Sequence, residues 1–399
     1  MSYLKKLTIE KVFCANPQGF EEEAQYAVTK MAELTQKFPI LLKWDIFIKS
    51  DSEESFAKEK ALLNELICQN EALKNQVSPV YVSQPPIEDN NNNIVIESWF
   101  LTDSEDINFT IKKLDSIRYI VLNDNSEDEK IIFAGYSEPK FVDSKTTQFI
   151  DSSKNAFKNI TKILKEEGMN FSDIVRQWNY IGAILFRTQM AEIGEVQNYQ
   201  LFNDIRQDYY ATADWNNGYP AATGIGMDFG GVSVGIVAAK KIKGALQTFA
   251  VDNPLQIAAH AYSQKMLIGE AEQKMTPKFE RAKSLFSKND NSSMTFVSGT
   301  AAIRGEESLG DDPAEQTILT MENIIYLISQ ENIKNFTDRI VNYKDIYGWR
   351  IYVKNLIEYK AIKEAFNNFD VSNKINAIFV IADVCRDELL VEIECVAVN

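Results

Sequence analysis

A repeat at one fixed offset constrains this chain more than any local motif. Gly135 in FAGYSE and Gly299 in FVSGTA stand 164 residues apart. Asn159–Ile160 in KNAFKNITKIL and Asn323–Ile324 in TILTMENIIYLI keep that separation, as do Phe202–Asn203 in YQLFNDIR and Phe366–Asn367 in IKEAFNNF. VRQWNYI (175–181) resembles YGWRIYV (347–353) at a slightly different spacing, and each copy closes on a β-rich run, GGVSVGIVAA (230–239) and LLVEIECVAV (389–398). Matches in one order at one offset indicate a supersecondary unit used twice. Each copy reads strand, long helix, strand, short helix, strand, strand, which predicts an α+β unit with helices on one face of a small sheet. The first long helix is predicted over SSKNAFKNITKILKEEG, from a serine cap to Gly168. The second is predicted to turn Ile318, Ile324, Ile325 and Leu327 to the core. Two fused units imply a pseudo-symmetric arrangement with a small-molecule pocket at their junction.

The expected organisation is a divergent N-terminal α+β region over 1–126, a first unit over 127–250, a connecting segment over 251–284 that contributes to the pocket, and a second unit over 285–399. Within the N-terminal region, residues 51–76 read as an amphipathic helix, 94–100 and 117–123 as strands, and SEDEK (126–130) as a solvated turn. Lys+Arg is 42 against Asp+Glu 57, a net charge of −15. That excludes a general nucleic-acid binder, which needs a basic face. No apolar run approaches the ~20 residues of a membrane helix, and the N-terminus has no signal-peptide core. A single histidine, His260, and four scattered cysteines make a metal centre and a Ser-His-Asp triad poor expectations. Cys385 and Cys395 flank the last strand and are read as core. The expectation is a reduced cytoplasmic protein, with no membrane partner, no metal and no cofactor. Fusion of the repeat points to a monomer or weak oligomer.

The segments RQWNYIGAI (176–184), YQLFNDIR (199–206), YPAATGIG (219–226), DNPLQIAAHAYS (252–263), PKFERA (277–282), SGTAAIRGEES (298–308) and DVCRDELLVEIE (383–394) resemble the chorismatase family, the FkbO-type chorismate hydrolases and related hydroxybenzoate synthases. The unit pattern itself resembles the RidA/YjgF fold, whose members form trimers with ligand sites between subunits. The resemblance covers roughly 130–399. It implies an enzyme that removes the enolpyruvyl group of chorismate as pyruvate, leaving a hydroxybenzoate or a dihydroxycyclohexadiene carboxylate.

Chorismate is a dianion with an enolpyruvyl ether, and releasing pyruvate requires a proton on the ether's methylene carbon. A carboxylic acid in a partly buried pocket can supply it, because desolvation raises its pKa. The family motif carries a His-Glu pair after its glycine. This aligns Glu307 with the catalytic glutamate and puts Glu306 where the histidine is expected. Arg206, Arg281 and Tyr199 are the expected carboxylate anchors, with Arg386 a further candidate. Ala222 and Gly226 are read as a pocket wall where a ring passes close to backbone, and Thr300 as the opposite wall. RidA proteins carry an arginine where Ala222 stands, which counts against the alternative of an enamine or imine deaminase. A binding protein that has kept the fold without its chemistry is the third reading. Thr300, bulkier than glycine, tilts the expected product towards a hydroxybenzoate.

Overall fold

The computed structural model describes residues 2–87, 91–104, 107–123, 129–190, 194–241, 246–264, 274–334, 343–372 and 377–399. Three α+β units follow one another. The first holds β1 (Leu7–Phe13), α1 (Phe20–Lys37), β2 (Ile40–Ile48), α2 (Glu53–Gln69), β3 (Val80–Val82) and β4 (Ile94–Leu101). The second holds β5 (Phe109–Leu114), β6 (Ile117–Leu122), β7 (Glu129–Ser137), α3 (Gln148–Glu166), β8 (Ile174–Gly182), the small hairpin β9 (Arg187–Met190) and β10 (Gly194–Gln197), α4 (Asn198–Tyr210), β11 (Ala221–Met227) and β12 (Val232–Lys241). The third holds β13 (Leu246–Val251), β14 (Ala282–Ser287), β15 (Ser293–Thr300), a hairpin of β16 (Ile303–Arg304) and β17 (Glu307–Ser308), α5 (Pro313–Leu327), α6 (Gln330–Ile333), β18 (Ile346–Val353), α7 (Tyr359–Asn367), β19 (Ile378–Ile381) and β20 (Val391–Val398).

The sheets run β1-β4-β2-β3, β11-β8-β12-β7-β6-β5 and β13-β14-β15-β20-β18-β19. In each, the strand before the long helix pairs antiparallel with the unit's last strand. That last strand pairs antiparallel with the second strand, which pairs parallel with the third. The RidA-like pattern expected for two units thus extends to a third, because the N-terminal region has the same connectivity. Strand ownership also departs from the expected boundaries. β5 and β6, expected in the N-terminal region, extend the second sheet through β7, and β13, expected in the first repeated unit, pairs with β14 in the third sheet. Short connections favour the antiparallel β5–β6 and β6–β7 pairs, whereas β13 reaches β14 across the long segment 252–281.

Local chemistry sets the helix ends. Ser52 caps α2 by accepting from the Ser55 amide, and α5 starts on an Asp312 cap with Pro313 at its first position. α2 ends at Gln69, short of the expected 76, as the chain turns at Asn70. α3 begins at Gln148, ahead of the predicted serine cap. Ser152 lies inside it, buried, where its hydroxyl accepts from the Val232 amide. Gly168 does end this helix in the left-handed region (φ +65°) that glycine tolerates. On α5, Ile324 and Leu327 are buried, but Ile318 is 42% exposed, since Met321 takes the inward place. SEDEK lies partly outside the described residues. Among the described residues, no helix is long and apolar enough to cross a membrane.

The faces of the sheets away from the helices meet in one core that includes Phe47, Trp99, Trp178, Phe296, Tyr352 and Val396. Buried charges sit in the same place and are paired, as they must be. Arg350 Nη2 lies 2.7 Å from Asp45 Oδ2 and 2.6 Å from Glu97 Oε1. Lys43 Nζ is 2.7 Å from Asp45 Oδ2. Tyr180 donates to Asp45 (3.0 Å) and accepts from Arg350. Burial raises the Asp45 carboxyl, but Lys43 and Arg350 outweigh it and hold the group below its usual range.

Candidate active site

A cleft opens between the second and third units. The second unit contributes Gln197, Tyr199, Gln200 and Asn203 from the start of α4, and Ala222 and Gly224 from β11. The third contributes Gly299 and Ala301 at the end of β15, Ile303 on β16, Cys385, Arg386 and Leu389 from the loop before β20, and Glu392 on β20 itself. Tyr262, Pro277, Phe279 and Arg281, from the expected connecting segment, complete the lining.

Glu392 is the buried carboxyl of this cleft. Its pKa is pushed up to about 8, first by burial and then by the neighbouring charge of Glu394, against the pull of Arg176 and Arg281. Room for its carboxyl comes from Gly299, where a Cβ would run into Glu392 Oε1. Burial, and then Glu392, push the Cys385 thiol up to about 12, so it stays protonated at neutral pH. Burial likewise raises the Tyr199 hydroxyl well above its ordinary value.

Two cations stand in the lining. Arg281 Nη2 donates to the Tyr262 hydroxyl (2.7 Å) and to the Ile257 carbonyl (2.8 Å), while its buried Nε has no hydrogen-bond partner among the described residues. Arg386 Nη1 donates to the Glu306 carbonyl (2.9 Å) and Ser308 Oγ (3.1 Å). Both guanidinium groups lie over the Tyr262 ring, at 5.7 and 5.4 Å from its centroid. Gln197 is 1% exposed, and neither polar atom of its side chain has a hydrogen-bond partner among the described residues. A buried amide left open in a cleft costs stability unless something fills it.

Of the residues expected from sequence, Tyr199, Ala222, Arg281 and Arg386 line the cleft, and Arg206, Gly226, Thr300, Glu306 and Glu307 do not. Glu307 is exposed on β17, opposite Arg304, because the tight β16–β17 hairpin turns this carboxyl to solvent. The Glu306 carboxylate accepts from the Ser263 amide (3.0 Å) and hydroxyl (2.8 Å), fastening the hairpin to the segment that carries Tyr262. Arg206 lies over the rings of Phe202 and Tyr210 and donates to Asn203 (2.7 Å), a residue of the lining. Gly226 is a close approach of two backbones: its amide donates to the Asp383 carbonyl (2.8 Å), and a Cβ would collide there. Thr300 spends its hydroxyl on the Ser298 carbonyl (2.8 Å), leaving Gly299 and Ala301 to form the wall. His260 packs 5.4 Å from the Tyr219 ring, outside the lining. Cys395 is buried as core, whereas Cys385 precedes the strand and lines the cleft.

Sequence reasoning missed Glu392, Cys385 and Gln197 as lining groups. The signal for Glu392 was present: VEIE puts two carboxyls two residues apart, on one face of an otherwise apolar strand.

Three fused α+β units with an acid-bearing cleft between the second and third have the fold of a solved chorismatase. The comparisons with known proteins agree. The family described as chorismatase FkbO/Hyg5-like, N-terminal, matches residues 123–238. A 3-hydroxybenzoate synthase of Streptomyces hygroscopicus is 29% identical over 257 residues, covering 62% of this chain and 70% of that protein. A chorismatase of Streptomyces rapamycinicus is 29% identical over 229 residues, 57% of this chain and 64% of that one. A chorismatase crystal structure superposes with a TM-score of 0.67 over 98% of both chains at 17% identity, a likeness of fold. The chain is thus similar to chorismatases in sequence over somewhat more than half of its length and in fold over nearly all of it.

Proposed function

We propose that this enzyme converts chorismate by protonating its enol ether from Glu392, releasing pyruvate. The observation that carries the reading is a carboxyl with a pKa of about 8, buried in the cleft between units and facing Arg281 and Arg386. A general acid works best when its pKa lies near the working pH, and Glu392 stays protonated at neutrality. The two arginines match the substrate's two carboxylates, and Gln197 offers an open amide to a ring hydroxyl. Ala222, Gly224 and Gly299 leave space for the ring against backbone. This assigns to Glu392 the acid role that the sequence motif suggested for Glu307, and keeps Tyr199, Arg281 and Arg386 as substrate contacts.

The product we propose is a hydroxybenzoate. Chorismate divides into pyruvate and a hydroxybenzoate with no atom added, whereas the diol outcome takes up one water. A cleft whose lining is largely buried favours the route that needs no water. The similarity to a protein named 3-hydroxybenzoate synthase points the same way.

The test is to mix the purified protein with chorismate and follow pyruvate and the ring product together. Pyruvate and a hydroxybenzoate in equal amounts are expected. Pyruvate with a cyclohexadiene diol would overturn the product assignment, and no pyruvate would overturn the reaction.

A further inference from the structure

Glu394 follows Glu392 by two residues on β20 and so shares its face, with the two carboxyls side by side. Yet Glu394 is not part of the cleft lining. It is held from several directions: Arg176 Nη2 at 2.7 Å, Arg350 Nη1 at 3.3 Å, the Trp178 indole at 2.8 Å and the Thr223 hydroxyl at 2.5 Å. The same Thr223 oxygen accepts from the Gly299 amide (2.9 Å), the residue whose missing Cβ makes room for Glu392. Arg350 is shared in turn with Asp45 and Glu97 of the first unit, which contributes nothing to the cleft lining.

We propose that Glu394 is a positioning residue: a fixed anion beside the acid, it keeps the transferable proton on Glu392, and the first unit supports it by sharing the charge of Arg350. The inference rests on Glu392 being the acid. Two adjacent carboxyls resist carrying charge together, so locking one ionised leaves the proton on the other. Burial raises Glu394, but Arg176 and Arg350 prevail and hold it below the usual carboxylate range. The groups facing Glu392 are Glu394 on its own strand, Arg176 from β8, Arg281 at the edge of β14, Tyr199 from α4, and Cys385 and Arg386 from the preceding loop. Burial is the largest cause of proton retention on Glu392, and the fixed anion of Glu394 adds to it against the pull of Arg176 and Arg281. Without Asp45 and Glu97, the charge of Arg350 would fall more fully on Glu394 and weaken its effect.

The experiment is the pH profile of kcat/KM for pyruvate release. An acid must be protonated to act, so activity is present below its pKa and lost as pH rises through it, near 8 in the native enzyme. Glu394→Gln removes the neighbouring charge, and the alkaline limb moves to lower pH by about one unit or more, with the acid-side plateau within a few-fold. Glu394→Asp keeps the charge and holds the limb in place. Glu97→Gln moves the limb the same way by less. A uniform loss in Glu394→Gln with the limb unmoved makes the residue merely structural and overturns the proposal. Should that variant not fold, an unmoved limb in Glu97→Gln overturns it equally. Full activity in Glu392→Gln would mean that the reading of the site has failed. An inert Glu392→Gln beside an unmoved limb in Glu394→Gln would mean that only the role of Glu394 has failed.

Discussion

The cleft between the second and third units and the cleft between the first and second are built from corresponding elements. In one, α4 and β11 face β15 and β20. In the other, α2 contributes Ala57, Lys60 and Ala61, the β3 region contributes Ser78 and Tyr81, and β7 contributes Gly135. Strand pairing makes Val95, Ser233 and Glu392 equivalent, opposite Phe47, Tyr180 and Tyr352. Only the third unit has a carboxyl there. Ser233 spends its hydroxyl on the Tyr81 carbonyl and Ser137 Oγ, closing its own cleft with neutral hydrogen bonds, and Lys60 donates to the Glu138 carbonyl. Repetition supplies similar junctions, and in the proposed reading a few side chains give the one between the second and third units its chemistry.

Copying the second unit's residue into the third breaks this asymmetry most severely. Glu392→Ser removes the acid, and kcat for pyruvate release is expected to fall about 10²- to 10⁴-fold, read by steady-state kinetics. Arg281→Ala removes a buried cation from the lining and should cost on the order of 2–5 kcal/mol in kcat/KM. Arg206→Ala, one residue removed from the cleft, should cost less than Arg281→Ala, and the reverse order would place the carboxylate anchor on α4. Gly299→Ala pushes the end of the Glu392 side chain aside and crowds Thr223, and a loss of about 3- to 100-fold in kcat is expected, with KM nearly unchanged. Smallest of all are Glu307→Gln on the exposed hairpin and Lys60→Ala in the other cleft, each leaving turnover within about twofold of the native enzyme. A large loss from Lys60→Ala would mean that the two clefts are not functionally distinct.

The unit fold was legible because it repeats. Gly135 with Gly299 and Asn159 with Asn323 carry a connectivity that the sheets then follow. The first unit escaped notice because its inward strands carry Lys43, Asp45 and Glu97, charges that pair only in three dimensions with Arg350 and blur the apolar pattern. Trp178 and Trp349 looked like one repeated position. Trp178 faces the other units, while Trp349 packs against Phe366 of α7. A one-residue slip exchanges the faces of a strand, and sequence similarity alone does not register it. The site was legible where a motif coincides with a wall, as at Ala222 and Arg281. The acid pair Glu306 and Glu307, expected in the pocket, sits on a hairpin outside the cleft lining. Burial separates Glu392 from Glu307, and burial belongs to the assembled units rather than to either short segment.

The central claim, that the junction of the second and third units carries the chemistry, is tested most directly by a crystal structure of Glu392→Gln soaked with chorismate. The account predicts intact substrate between the second and third units, its carboxylates at Arg281 and Arg386. Its enol-ether methylene carbon should lie within about 3.5 Å of the residue 392 side chain. Substrate seated instead beside Lys60 in the other cleft, or against Glu307 on the hairpin, would contradict it.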